Sequence, residues 1–342
     1  MKKFYSLKVL EIESLTSDSV KIVFDTSKAE MFSFKAGQYI TLRKEINNED
    51  VRRSYSLCSN PFSDELPKVA IKRVADGRFS NYANNNFKAG DLVKVNTPIG
   101  NFFADIASYN AKQYVLFAGG SGITPVLSIL KSVLTQEVNS KVTLIYANAL
   151  GTNIIFNDEL TSLATTYSDR FNRIDHIDAD KGLITADLVK SYLGASQQAE
   201  YYMCGPQGFM EIVEFTLNGL GVANDKINKE YFKAKEKVEE ADDEEVSEEI
   251  IDREVTIVVD DEENTFMVPA DENILEAAID NDLDPPYSCQ AGVCTACRAM
   301  CVSGKVKMDE MEGLSDEEIE EGYVLACQAH PLTDNVKLEF SL

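Results

Sequence analysis

Three cysteines, Cys289, Cys294 and Cys297, constrain this 342-residue chain more than any other feature. They lie in Tyr287-Ser288-Cys289-Gln290-Ala291-Gly292-Val293-Cys294-Thr295-Ala296-Cys297, at C-x4-C-x2-C spacing, and a fourth, Cys327, follows after 29 intervening residues. This is the spacing of thiolates that hold a [2Fe–2S] cluster. Gly292 lets the backbone come close and turn amides toward the sulfurs, where such N–H groups help set the reduction potential. A zinc site on Cys294-x2-Cys297 is the alternative, although zinc ligands usually come as two short pairs and Cys327 stands alone. The fifth cysteine of this region, Cys301, fits no ligand spacing and reads as a small buried residue. With a cluster here the C-terminus is a one-electron carrier, and what precedes it reads as the electron source.

The length predicts two or three domains. An odd count of seven cysteines, four at ligand spacing, fits metal ligation in a reducing cytoplasm better than a disulfide framework. No apolar run approaches the roughly 18 residues of a membrane span, so no membrane insertion is expected. The first residues lack an apolar signal core. The net charge of −24 is uneven: residues 255–342 carry 20 acidic and 4 basic side chains, whereas residues 1–232 nearly balance at 26 and 25. Nucleic acid is a poor partner for such a chain. The acidic part serves solubility, or steers the chain toward a basic patch on a protein electron acceptor.

Short strands are expected at Tyr5–Glu13, Ser19–Asp25, Gln38–Lys44, Arg53–Ser59, Lys68–Val74 and Asp91–Thr97, a pattern suggesting an antiparallel β-barrel. From residue 111 the rhythm changes. Strands at Tyr114–Ala118, Val142–Ala147, Phe171–Ile177, Glu200–Cys204 and Lys226–Phe232 alternate with helical spacing at Val126–Leu134, Asn157–Tyr167, Thr185–Leu193 and Gly208–Leu220. That alternation predicts an α/β domain with a parallel sheet. The charge run over 233–252 reads as an extended linker, or a short solvated helix. Beyond it come a hairpin around Asp260–Asn264, helices at Ile274–Asn281 and Ser315–Glu321, and a last strand at Val336–Phe340. The expected domains are therefore 1–106, 107–232 and 253–342, with 233–252 as linker.

Three constellations point to nucleotide-like ligands. In Arg53-Ser54-Tyr55-Ser56 the arginine can meet a pyrophosphate bidentately. The tyrosine, on the same strand face, can lie against a flat ring, and the serine can reach a ring nitrogen. Lys72 and the run Gly77-Arg78-Phe79-Ser80 add to it, with a glycine turn opening a short helix whose N–H groups suit a phosphate. Gly119-Gly120-Ser121-Gly122-Ile123-Thr124-Pro125 follows a strand and opens a helix, the context of a phosphate-binding turn, or of a packing turn. Cys204-Gly205-Pro206 ends a later parallel strand, where ligands sit in open α/β sheets, although Cys204 also reads as a core thiol. Neither His176 nor His330 has the companions of hydrolytic chemistry.

In this order the motifs resemble the ferredoxin–NADP reductase superfamily fused to a plant-type ferredoxin. Arg53-x-Tyr55-Ser56 is similar to its flavin motif and Gly77-x-x-Ser80, with Phe79, to its flavin-phosphate motif; Pro98-x-Gly100-x-Phe102 is also typical. Gly119, Gly120, Gly122, Thr124 and Pro125 match its nicotinamide pyrophosphate turn, and Cys204-Gly205-Pro206 its nicotinamide-side motif. Glu230-Tyr231-Phe232 resembles its reductase-domain ending, whose Glu and aromatic lie near the flavin. The resemblance implies a multidomain chain: an antiparallel β-barrel flavin domain, a parallel-sheet nucleotide domain and an α+β, β-grasp ferredoxin domain. Implied cofactors are FAD, a [2Fe–2S] cluster on Cys289, Cys294, Cys297 and Cys327, and NADH or NADPH as substrate. Tyr55, Ser56, Cys204 and Glu230 would be the catalytic set; Arg53, Lys72, Gly205, Pro206 and Phe232 would join the binding residues. The domain order is most like reductase components of multicomponent oxygenases, the reductase subunit of phenylacetyl-CoA epoxidase being the nearest type. A hybrid-cluster or other redox protein as acceptor, or a nucleotide-binding sensor without turnover, are the other readings. Where relatives often place an arginine for a 2′-phosphate, this chain has Ala149, and Arg170 or Arg173 would have to substitute.

Overall fold

The computed structural model describes residues 4–26, 32–63, 66–193, 198–232 and 250–340. The chain divides into two compact units, Phe4–Phe232 and the residues from 233 onward. The expected linker at 233–252 lies outside the described residues except for 250–252.

The first unit opens with β1 (Tyr5–Thr16), β2 (Ser19–Asp25), β3 (Tyr39–Ile46), β4 (Glu49–Ser56), β5 (Lys68–Lys72), α1 (Arg78–Asn86) and β6 (Leu92–Val95). The strands form an antiparallel sheet in the order β4-β3-β6-β1-β2-β5. A bridge from Leu57 to Val69 brings the end of β4 against β5, so the sheet closes on itself. Side chains of alternate residues fill its inside: Val9, Ile22, Phe24, Leu42, Val69, Ile71, Val93 and Val95, with Phe79 of α1 as the plug. The fourth strand begins four residues before the expected Arg53. Asn47 and Asn48 both have positive φ, 55° and 64°, and make the two-residue turn that lets β4 start at Glu49.

The second sheet is wholly parallel. Its elements are β7 (Gln113–Gly119), α2 (Ile123–Gln136), β8 (Lys141–Asn148), α3 (Asn157–Thr166), β9 (Phe171–Ile177), α4 (Asp178–Lys181), α5 (Ala186–Leu193), β10 (Glu200–Cys204), α6 (Gln207–Gly219) and β11 (Ile227–Glu230). The order β11-β10-β7-β8-β9 reverses direction at β7, which makes the crevice beyond the ends of β7 and β10 the topological switch point. Tyr114–Gly119 is buried without a break, as expected of a strand covered on both faces. A boundary at 106/107 separates the two sheets but not their packing. Ala36, Cys58, Ala70 and Phe102 share one core with Leu116, Val126 and Leu130, and the Phe102 and Tyr202 rings meet edge-on at 5.7 Å.

Glu137, fully buried just past α2, pins the connection between the sheets. Its carboxylate accepts from Ala107 N, Asn110 Nδ2, Tyr114 OH and Ser140 Oγ at 3.2, 2.5, 3.1 and 2.7 Å. Glu137→Leu keeps the bulk and strands these donors. It is expected to lower the unfolding free energy by about 3 kcal/mol, read as a lower urea midpoint at unchanged slope.

The second unit comprises β12 (Arg253–Val259), β13 (Glu262–Val268), α7 (Ile274–Asp280), β14 (Arg298–Ser303), β15 (Val306–Met308), α8 (Asp316–Glu320), β16 (Tyr323–Leu325), β17 (Ala329–Pro331) and β18 (Val336–Glu339). A mixed sheet in the order β13-β12-β18-β14-β16, with β12 and β18 parallel, packs against α7. The hairpin turn is tighter than expected: only Asp260 and Asp261, φ 57° and 63°, lie between the strands. Capping boxes at Asn273 with Glu276 and at Ser315 with Glu318 start the two helices. The strands β14 to β17 have no counterpart in the sequence expectations. Three of them are three residues long, too short for a period to show.

Candidate functional site

On the barrel, β4 carries the first constellation. Arg53 and Tyr55 lie on one strand face, and Ser54 turns to the other, 3.1 Å from Thr41 Oγ1. Arg53 is exposed, with Nη1 donating to the Arg52 carbonyl at 2.6 Å, and Ser56 is buried. The Tyr55 ring sits 5.7 Å from that of Phe79 at a 43° tilt, so α1 backs it. Burial pushes the Tyr55 hydroxyl above its ordinary range, against the opposing pull of Arg53, so it stays a proton donor. The start of α1 has no side-chain cap and no acidic residue in its first turn, which leaves backbone N–H groups for an anion. Gly77 is needed there because a Cβ would lie 2.5 Å from Ser80 Oγ, itself accepting from Val74 N at 3.2 Å. The Lys72 ammonium lies 3.8 Å from Asp18 in the β1–β2 turn.

At the switch point the two glycine-bearing turns meet. A Cβ on Gly122 would lie 2.0 Å from the Cys204 carbonyl oxygen, and one on Gly119 would lie 2.6 Å from Pro206 Cδ. The neighbouring ends of β7 and β10 can approach this closely only as glycine. Gly120, at φ 51°, has open space where a side chain would go, and Tyr146 OH donates to its carbonyl at 3.0 Å. Thr124 Oγ1 donates to the Ser121 carbonyl at 3.1 Å. The Cys204 thiol is fully buried; burial, then Glu230, holds it protonated, so it is no nucleophile. Glu230 lies opposite Cys204 in the β10–β11 register, Tyr231 is buried and Phe232 exposed.

One polar atom here was not foreseen. Asn148 Nδ2, at the end of β8 beside Tyr146, is buried with no hydrogen-bond partner of good geometry. A poorly satisfied donor and a bare glycine turn at a switch point fit a dinucleotide. The two arginines considered as stand-ins for a 2′-phosphate ligand are engaged elsewhere. Arg170 donates to carbonyls of Leu134, Glu137 and Ser140, and Arg173 holds Asp175 and Asn157.

In the second unit Cys294, Cys297 and Cys327 are buried and Cys289 is half-buried. The Cys294 and Cys289 sulfurs are 3.1 Å apart, and further thiol hydrogen bonds join Cys289 to Cys327 and Cys327 to Cys297. The hydrogen bonds from Cys294 and Cys327 hold the Cys289 thiol far below its ordinary range. The same bonds push Cys294 and Cys327 up, so Cys289 is the one of these three favoured as thiolate. Among the described residues no three His, Cys, Asp or Glu side chains surround one point as a single-ion site would. The four sulfurs form a chain of contacts, a soft donor set of the kind iron–sulfur clusters take. Gly292, at φ 71°, abuts Glu310, where a Cβ would come to 2.6 Å. Gly313 was missed in the sequence; its N–H donates to the Gly292 carbonyl at 2.7 Å, and a Cβ would lie 2.9 Å from Cys294 N. Nothing local to Glu312-Gly313 signals that packing. Cys301 is half-exposed and takes no part.

Residues 6–103 match the oxidoreductase FAD-binding domain, 116–214 the oxidoreductase NAD-binding domain and 257–332 the 2Fe-2S iron-sulfur cluster binding domain. The chain is 37% identical to the ferredoxin reductase component of 3-ketosteroid-9-alpha-monooxygenase from Rhodococcus rhodochrous, over 98% of this chain and 96% of the relative. It is 34% identical to a subunit of 1,2-phenylacetyl-CoA epoxidase from Escherichia coli, over 99% and 98%. Among solved structures, phthalate dioxygenase reductase superposes with a TM-score of 0.64 at 26% identity, over 98% of both chains. No helix among the described residues is long and apolar enough to cross a membrane. With FAD-, NAD- and 2Fe-2S-binding domains in the same order and over the same length, the chain belongs to the family of flavin and iron–sulfur reductase components of multicomponent monooxygenases.

Proposed function

We propose that this chain takes hydride from NADH or NADPH and delivers electrons singly to the oxygenase component of a cytoplasmic monooxygenase. FAD and a [2Fe–2S] cluster supply the two-electron to one-electron conversion, as cofactors supply the hard chemistry in such enzymes. The chain's own residues bind and orient. Arg53 and the start of α1 at Gly77–Ser80 hold the flavin pyrophosphate, Tyr55 lies against the flavin ring, and Ser56 hydrogen-bonds a ring nitrogen. Gly119, Gly120, Gly122, Thr124 and Pro125 receive the nicotinamide nucleotide's pyrophosphate. Gly205 and Pro206 shape the nicotinamide side with Cys204, a neutral thiol that excludes water without attacking the electrophilic ring. Glu230 balances protons at the flavin and Phe232 lies near it. Cys289, Cys294, Cys297 and Cys327 hold the irons. Lys72 is the weakest member of this set, since Asp18 already holds its charge.

The observation that carries the reading is the four thiols joined in a chain of contacts, in a protein that also carries a switch-point nucleotide crevice. The acidic second unit suits an oxygenase with a basic docking face, and an odd count of seven cysteines, four at ligand spacing, suits a reducing compartment. The test is anaerobic mixing of the holoprotein with NADH and NADPH in parallel. Flavin absorption should bleach first and cluster absorption after it, and acceptor reduction should slow as salt rises. A bleached flavin beside an unreduced cluster would defeat the proposal.

A further inference from the structure

The buried side chains of α2 are mostly apolar; Thr124, Ser128, Lys131 and Ser132 are the polar ones, and Thr135 near its end is exposed. Ser128, Ser132 and Thr135 stand at i, i+4 and i+7, so they share one side of the helix. That side meets Ser59 and Asn60, which follow β4 by a few residues. Ser128 Oγ donates to the Ser59 carbonyl at 2.6 Å. Ser132 Oγ lies 3.1 Å from Asn60 Oδ1 and 2.7 Å from the Ser128 carbonyl, one proton serving both. Asn60 Nδ2 donates to Thr135 Oγ1 at 3.0 Å. Ser59, Asn60, Ser128 and Ser132 are all buried. The strand side is anchored in turn: Cys58 N donates to the Lys68 carbonyl at 2.9 Å, and Lys68 N to Ser59 Oγ at 3.1 Å.

We infer that Asn60, Ser128 and Ser132 are positioning residues for hydride transfer, fixing the flavin-binding strand against the nucleotide-binding helix. This rests on the function proposed above. Leu, Val and Ala at these positions would join the core more cheaply, because buried polar groups are costly unless satisfied. A satisfied network, unlike apolar packing, accepts only one register of the helix on the strand. Its location gives leverage. Ser59 is three residues from Ser56 and Ser128 is three from Pro125, so each end of the network lies one short step from a residue placed at a cofactor. Hydride transfer needs its reacting atoms about 3–3.5 Å apart, and a displacement of about 1 Å can cost on the order of a hundredfold in rate.

The test uses the full-length holoprotein carrying Ser128→Ala with Ser132→Ala, and Ser132→Ala alone. The limiting rate of flavin bleaching at saturating nucleotide, per bound flavin, should fall about 10- to 100-fold in the double variant and by less in the single one. Flavin content and the dissociation constant of the oxidised nucleotide should stay within about twofold, so the loss falls on the limiting rate and not on binding. A second readout needs no turnover. In the flavin-free chains, amide hydrogen exchange should rise together over 57–60 and 126–135 in the double variant, leaving 250–340 unchanged. Limiting rates within about twofold of the wild type, whatever the fall in melting temperature, would overturn the inference and leave the network a stabilising contact. Should the double variant fail to fold, the same limiting-rate criterion applies to Ser132→Ala. A wild-type flavin that neither nucleotide bleaches would instead overturn the functional reading, and the inference with it.

Discussion

Cys294→Ser is expected to abolish the visible absorption of the cluster and all electron delivery to an acceptor protein. Reduction of an artificial dye through the flavin by NADH or NADPH should persist. The Cys294 sulfur is buried against that of Cys289 at 3.1 Å, with Gly313 packed on its backbone amide. A serine oxygen sits on a shorter bond, is a hard ligand and holds its proton at neutral pH, whereas iron–sulfur sites take thiolate. The residues proposed for the flavin lie in the other compact unit, Phe4–Phe232. Paired absorption and dye-reduction assays read both halves. A variant with a full cluster spectrum would show that these are not the ligands.

The second large effect is expected at Gly122. Its Cβ would fall 2.0 Å from the Cys204 carbonyl oxygen, 2.4 Å from the carbonyl carbon and 2.8 Å from Gly205 N, all backbone atoms that cannot swing away. Gly122→Ala must therefore push the end of β10 from the start of α2. Overpacking of this kind costs about 1–3 kcal/mol, and it acts where the nucleotide is placed. The apparent affinity for NADH and NADPH should fall at least about tenfold and flavin bleaching should slow, while the cluster spectrum stays whole. Titration with oxidised nucleotide and stopped-flow bleaching measure the two effects, and near-normal values for both would remove Gly122 from the site. Gly120→Ala is the milder comparison, because its Cβ meets nothing within 4 Å and only the positive φ opposes it.

The sequence was most legible where a function needs fixed spacing along the chain. Cys289, Cys294 and Cys297 and the Gly119–Pro125 turn are local patterns, and both sheets of the first unit followed from hydrophobic period. What stayed hidden depends on residues far apart in sequence. Gly313 matters because it folds back on Cys294, and Asn60 because α2 arrives over it. Lys72 reads as a phosphate ligand beside Arg73, and only the β2–β5 pairing shows that Asp18 lies 3.8 Å from its ammonium. Arg170 and Arg173 likewise looked available until the ends of α2 and α3 claimed them.

The placement of Cys327 has a consequence for the mechanics of the second unit. Three of its sulfurs come from one continuous loop, whereas the fourth stands beyond β16, held by Ala326 N donating to the Cys297 carbonyl at 3.1 Å. A cluster bonded to all four would be a staple across a 30-residue span from Cys297 to Cys327 that includes β14, β15, α8 and β16. Closing a loop of that length removes about 3–4 kcal/mol of chain entropy from the unfolded state. The redox group would then double as the cross-link of a small, highly charged fold whose 16 excess negative charges push its parts asunder.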